Sequence, residues 1–301
     1  MKKQTFALFF GLMSATSIYA QEAGSATVAL EKRIADLEKK LGALEEESQE
    51  SAFPELSGGP LESVWGHGAA ASKVYNVPAG VSLGGYGEAF ATFDDDATDT
   101  SDFLRAILYL GYKFNENWVL NTEIEFEHAS TGKEGEASVE FATLDYLARP
   151  ELNLRFGLLL APMGLVNELH EPNTFLPVGR AKTERVIIPS TWRENGAGIF
   201  GEVGIVRYKA YVLNGLKGEG FDAKGLRGGR QKGSKAQSED WAGVLRIDLV
   251  PNQDTVIGGS VYHGNSGQTL DVDVSTTIAE LHADLQVGAV KLRALGAIAE
   301  V

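Results

Sequence analysis

From Val81 to Val301 apolar and ionisable residues alternate one for one through segment after segment, and that period decides which folds are open to the chain. In FLRAILYLGYKF, Leu104, Ala106, Leu108, Leu110, Tyr112 and Phe114 share one side, while Arg105, Tyr109 and Lys113 take the other. Successive side chains of an extended chain point to opposite faces, so this is a strand with one greasy and one charged surface. Next, Trp118, Leu120, Ile124 and Phe126 oppose Asn121, Glu123, Glu125 and Glu127, and only Asn-Glu-Asn lies between the two segments, which predicts a hairpin. The pattern returns in Leu154, Phe156, Leu158 and Leu160 around Arg155, and in Val206, Tyr208, Ala210 and Val212 against Arg207 and Lys209. It continues in Trp241, Leu245, Ile247 and Leu249 against Arg246 and Asp248, and in Ala279, Leu281, Ala283 and Leu285 against Glu280, His282 and Asp284. Last, Val290, Leu292, Ala294 and Ile298 oppose Lys291 and Arg293.

A water-soluble sandwich also hides one face of each strand and wets the other. The connections discriminate. Strands are predicted at 81–93, 103–114, 117–127, 138–148, 153–161, 196–203, 205–213, 241–249, 255–263, 276–286 and 289–300, and the links between them alternate strictly between long and short. Short turns at one end and long polar loops at the other mark a transmembrane antiparallel β-barrel. Its greasy rows would face lipid, with Trp118, Trp241, Tyr112 and Phe126 near strand ends in the aromatic girdles. Arg105, Lys113, Glu123, Glu125, Arg155, Arg207, Lys209 and Arg246 would line the lumen, alongside Glu127, Asp248, Glu280, Asp284, Lys291 and Arg293. Eleven strands is an odd number, and an open sheet leaves edges that lipid cannot satisfy, so the reading expects an N-terminal portion of a longer barrel.

The longest connection, Pro162 to Asn195, has neither period. A compact domain keeps so long an irregular stretch only when it has a task, because its backbone polar groups need partners and its ordering costs entropy. It is expected to fold into the barrel mouth and narrow the pore, with Arg180, Lys182, Arg185 and Arg193 balanced by Glu168, Glu171, Glu184 and Glu194.

Ahead of the strands, residues 1–20 read as a secretory signal peptide: Lys2 and Lys3, an apolar core from Phe6 to Met13, and small or polar residues up to Ala20. Within 21–47, Leu30, Ile34, Leu37, Leu41 and Leu44 recur at spacings of four and three, a heptad seam for a parallel oligomerising coiled coil in the periplasm. Residues 48–80, rich in Ser, Gly, Glu, Pro and Ala, read as a flexible linker to a barrel domain at 81–301. Export without a single Cys suits an envelope protein that needs no disulfides, and a net charge of −14 argues against nucleic acid as a partner.

Three stretches, GGYGEAF at Gly84 to Phe90, LLLAPMGLVNELHEP at Leu158 to Pro172 and IIPSTWRENGAGIFGE at Ile187 to Glu202, resemble the bacterial outer-membrane porin family named for its phosphate- and polyphosphate-selective members. The resemblance implies a sixteen-stranded trimeric barrel in which the loop after the fifth strand folds inward as the constriction. Phosphate selectivity does not carry over with it, because that needs an unbroken basic ladder and this loop balances its charges.

Other chemistry is discounted. Glu168, His170 and Glu171 lie close together in NELHEP, but Pro172 breaks any helix that would bring a second ligand one turn on, so no metal and no cofactor is expected. The basic stretch from Lys217 to Lys235 reads as a mobile surface loop facing lipopolysaccharide or solvent. No Ser, His and acid constellation suggests an enzyme. The expected function is a trimeric outer-membrane porin, embedded in lipid, passing small hydrophilic solutes or ions by diffusion. The alternative is a structural barrel that anchors the coiled coil to the envelope.

Overall fold

The computed structural model describes residues 31–42 and 62–301, apart from Lys133 and Val178. The chain divides into two units, Met1–Pro60 and Leu61–Val301. In the first, residues 31–42 form a helix (α1) on which Ile34, Leu37 and Leu41 are exposed. The expected signal peptide and the expected seam residues Leu30 and Leu44 lie outside the described residues.

The second unit is an eleven-stranded antiparallel meander in which every strand pairs with its sequence neighbours. The strands are β1 (Gly80–Thr92), β2 (Thr100–Lys113), β3 (Trp118–Glu127), β4 (Ala137–Arg149), β5 (Leu152–Leu160), β6 (Arg193–Val203), β7 (Val206–Asn214), β8 (Trp241–Asn252), β9 (Thr255–Asn265), β10 (Ser275–Val287) and β11 (Val290–Glu300). Each predicted strand has its counterpart, and the short and long connections alternate as expected. Most boundaries differ by one to three residues, and the shift that matters is at β6, which starts at Arg193, so Arg193, Glu194 and Asn195 belong to a strand and not to the long loop. Their backbone pairs in turn with Leu160, Leu159 and Leu158 across the ladder, which a polar triplet does not announce in sequence.

The two faces settle which solvent each row meets. Leu108, Leu110, Leu245, Ile247, Leu281 and Ile298 are exposed, up to 75% at Leu281, whereas Glu123, Asp145, Arg155 and Glu194 on the opposite face are no more than 3% exposed. A sandwich would bury the first set and wet the second, and this sheet does the reverse. Outward aromatic residues gather near the strand ends: Tyr112 against Phe114 and Trp118 against Tyr146, each pair 4.8 Å apart, toward the short turns, and Phe90, Phe103, Phe126 and Trp241 toward the long loops.

The interior is not uniformly polar. Inward residues of β5 to β10 (Leu159, Phe200, Tyr211, Leu213, Tyr262 and Ile278) form an apolar cluster with Met163, Ile188, Trp192, Leu216 and Leu226, which come from the two longest connections. Those connections are therefore packed against the inner wall.

Residues 62–79, expected within a flexible linker, are folded against the inner face instead. Helix α2 (Lys73–Asn76) touches β1, β2 and β3, and Ala71, Ser72, Val74 and Tyr75 are buried. Small residues that read as flexibility serve here as clearance, because Gly and Ala let the backbone come close to a crowded wall while Trp65, Val74 and Tyr75 supply apolar anchors.

Candidate functional site

Two segments fill the concave side of the sheet. Residues 62–79 lead into β1, whose first residue pairs with Lys113 beside the short β2–β3 turn, so they enter from the short-turn end. The loop 161–192 leaves β5 at the opposite end. Both are held by inward side chains of the strands.

The first segment is anchored by hydrogen bonds to its own carbonyls. Asn121 donates to Ala71 O (3.0 Å), Lys113 to Tyr75 O (3.2 Å) and Arg155 to Trp65 O (3.3 Å). The Tyr75 hydroxyl donates to Asp145 Oδ2 at 2.7 Å, and Arg155 donates to both oxygens of the same carboxylate at 2.8 Å. Trp65 packs edge-on to Phe200 at 5.3 Å, over which the Arg155 guanidinium also lies. His67, fully buried between Tyr75 and Phe141, is pushed well below the usual imidazole pKa by that burial and by the charges of Arg155, Lys209 and His170, so it is neutral.

The loop is closed at its base by Asn167, which donates to Ala161 O and Trp192 O and accepts from Trp192 N at 2.6 Å. Its tip is tied to strands all round the sheet: Tyr109 (β2) donates to Glu171 at 3.0 Å, Lys209 (β7) pairs with Glu168 at 2.6 Å, Arg246 (β8) donates to Gly164 O, and Arg293 (β11) to Thr174 O. His170 sits between Glu123 (β3) and Glu140 (β4), 3.2 and 3.0 Å away. Burial alone would lower its pKa, but the two carboxylates outweigh that and raise it to about 10. Glu140 faces inward because it is the extra residue of a β-bulge, where Glu123 pairs with Phe141 and Ile124 with Val139.

The two segments meet. Gly66, at φ +86°, lies against the ends of Lys209 and Glu168, and Gly68 against the Glu171 carboxylate, so a Cβ at either would have to displace those side-chain ends. Gly66 has a second reason to be Gly, since its backbone is in the left-handed region.

A third piece, residues 215–240, contains the stretch Lys217 to Lys235 that was expected at the surface. It packs inward through Leu226, and Arg227 and Arg230 donate to Ser190 O and Thr191 O of the loop. Burial and the neighbouring Arg227 charge pull Arg230 down to about 9. Arg180 donates to Thr191 Oγ1 at 2.8 Å. Like Arg185, it sits close enough to Arg227 for each pair to feel the other's charge.

The expected constriction residues are thus sorted. Glu168, Glu171 and Arg180 bond within the interior, Arg185 is exposed on a π-helical turn (Thr183–Ile187) with Lys182 exposed just before it, and Arg193 is a buried β6 residue paired with Glu140 at 2.9 Å. Of the expected lumen residues, Arg105 bridges Glu88 and Glu125, and Lys113, Glu123, Arg155, Lys209 and Arg246 all hold a filling segment. Arg207 is exposed near the short-turn end, beside Glu202. Between the two fillings a cavity of about 410 Å³ remains, lined in part by Trp65, Glu168, Lys209, Arg246, Asp248 and Arg293. Sequence reasoning missed Tyr75, Asp145, Glu140, Arg227 and Arg230. Only Arg227 and Arg230 left a signal, as basic residues within a Gly-rich stretch long enough to turn inward.

Apolar rows outside, ionisable rows inside and a sequential antiparallel ladder define the class: the wall of a transmembrane antiparallel β-barrel. An uncharacterized protein of Aquifex aeolicus (strain VF5) is 48% identical over 205 residues, 65% of this chain and 47% of that protein, so the chain spans about half the length of this relative. No family model matches. Among solved structures, OmpT of Vibrio cholerae, an in-vitro folded outer membrane protein in a trimer form, aligns over 73% of this chain and 79% of its own with a TM-score of 0.33 and 10% identity. Agreement that slight adds nothing to what the sheet itself establishes.

Proposed function

We propose that the chain is the wall and filling of an outer-membrane porin, passing small hydrophilic solutes or ions by diffusion, with loop 161–192 as its constriction. One observation carries the reading: an apolar outer face encloses a loop tied by polar bonds to β2, β3, β4, β7, β8 and β11. A protein that needed only an anchor in lipid has no use for so many charged side chains aimed at one loop, since each costs desolvation. Among the described residues β1 and β11 are each paired on one side, and in hydrocarbon their outer backbone groups need hydrogen-bond partners too. The membrane is the outer one, the coiled coil lies in the periplasm, and its seam of Leu30, Ile34, Leu37, Leu41 and Leu44 joins copies of the chain. Kinship with phosphate-selective porins belongs to the same proposal.

Planar-bilayer recording tests it. A steady open level is expected, and replacing Arg180, Arg185, Arg227 and Arg230 together by Gln should move the reversal potential in a salt gradient toward cations, because the acidic residues nearby stay. An unmoved potential would take these four out of the ion path. A second reading, a structural barrel with little conductance, is favoured by the depth to which residues 62–79 fill the interior, and the lack of any open level would decide for it.

The outward face gives an independent check. Leu108→Arg puts a charge in the outward row of β2 between the girdle residues Phe103 and Tyr112 and should cost roughly 2–4 kcal/mol near the bilayer midplane, read as a lower urea midpoint for folding into vesicles. If Leu108→Arg folds as stably as the parent, acyl chains do not cover β2.

A further inference from the structure

The acids of NELHEP do not serve its own His. Glu168 goes to Lys209 and Glu171 to Tyr109, while His170 turns to Glu123 and Glu140, which lie far from it in sequence on β3 and β4. One ligand atom from each of Glu123, Glu140 and His170 falls within 4.8 Å of the other two, and all three residues are buried, at 0%, 4% and 2% exposure.

The surroundings hold each group in one orientation. His170 Nδ1 lies 3.2 Å from Asn167 O, and Asn167 is itself fixed at the loop base. With Nδ1–H donated to that carbonyl, Nε2 is the nitrogen turned to the carboxylates, an arrangement that fixes the tautomer of ligating imidazoles. Arg193 takes Glu140 Oε1 at 2.9 Å and so leaves Oε2 to face inward. Glu123 Oε2 and Glu140 Oε2 have no well-directed hydrogen bond, although both are buried near the same nitrogen, 3.2 and 3.0 Å from it. One ring N–H therefore faces two carboxylates. Separations of roughly 3 Å are also what neighbouring donors show around an ion with bonds of about 2.0–2.2 Å.

We propose that Glu123, Glu140 and His170 bind one divalent first-row transition metal ion that staples the tip of loop 161–192 to β3 and β4. One imidazole nitrogen and two carboxylates suit zinc, manganese or ferrous iron. Calcium and magnesium prefer all-oxygen shells, and no thiolate is present to favour a soft ion. The ion replaces the proton that Nε2 carries, so charge is exchanged and not simply added.

The test is cobalt(II) titration of the full chain, folded in detergent and stripped with a chelator. The expected result is one ion per chain with visible d–d absorption, and an affinity lower by roughly tenfold or more in Glu140→Gln and in His170→Ala. Glu280→Gln is the control: Glu280 is as buried and also pairs with a His, but each nitrogen of His282 has its own carboxylate there, so cobalt binding should not change. No uptake by the parent overturns the site and leaves a protonated ion pair. Equal uptake by parent and both variants overturns it as adventitious binding. If the variants do not fold, X-ray absorption at the zinc edge of the zinc-loaded parent decides: imidazole with carboxylate oxygens supports the site, and a shell of oxygen alone rejects it.

Discussion

A chain lacking residues 62–79 should conduct severalfold more current per channel than the parent. The deleted piece fills the short-turn half of the interior, where it covers the polar wall residues Lys113, Asn121, Asp145 and Arg155 as well as the apolar Val119, Phe141 and Phe200. With it gone those groups face water, and the cavity now bounded by Trp65 on one side opens to the end of the barrel. The ladder does not depend on the segment, whose backbone-to-backbone bonds, such as Ser72 N to Gly68 O, are internal, while among the described residues each strand of β1 to β11 finds its ladder partners in neighbouring strands. A gentler version is Gly66→Val, which demands space already taken by Lys209 and Glu168 and a backbone angle that a β-branched residue resists. It should displace the segment without shortening the chain and raise conductance in the same direction. Unchanged conductance in both would mean that ions pass elsewhere, or not at all.

The wall was legible in the sequence because a half-lipid, half-polar strand writes its environment into every second residue. The alternation around Leu108 and Leu110 fixed which side faces out, and loop lengths separated barrel from sandwich. The filling was not legible, for a different physical reason. Residues 62–79 and 215–240 make their contacts through backbone carbonyls and small side chains, as at Ala71 O, Gly66 and Gly68, and such contacts leave the composition of a linker. Glu140 shows the limit most clearly: it faces inward only because a bulge shifts the period by one, and Phe141, its neighbour, also faces inward. His170 could be seen as a polar loop residue, but its partners Glu123 and Glu140 are set by strand register, which no local motif encodes.

Asp145→Ala should be the most destabilising single change in the wall. Asp145 has no exposed surface, and it accepts two bonds from Arg155 and one from the Tyr75 hydroxyl. Removing it leaves the guanidinium of a residue only 3% exposed without its countercharge, a cost of about 3–5 kcal/mol when one partner of a buried pair is lost. By contrast Glu202→Ala, which breaks the exposed Arg207 pair, should change stability by no more than about 1 kcal/mol. Urea unfolding from vesicles reads both. What buries Asp145 and Arg155 is the segment 62–79, so the cost is conditional. In the chain lacking that segment, water reaches Arg155 and the same substitution should cost little, a coupling that a double-mutant cycle measures directly. If Asp145→Ala costs the same with and without residues 62–79, the segment is not what keeps water from this ion pair, and its place as the filling of the pore goes with it.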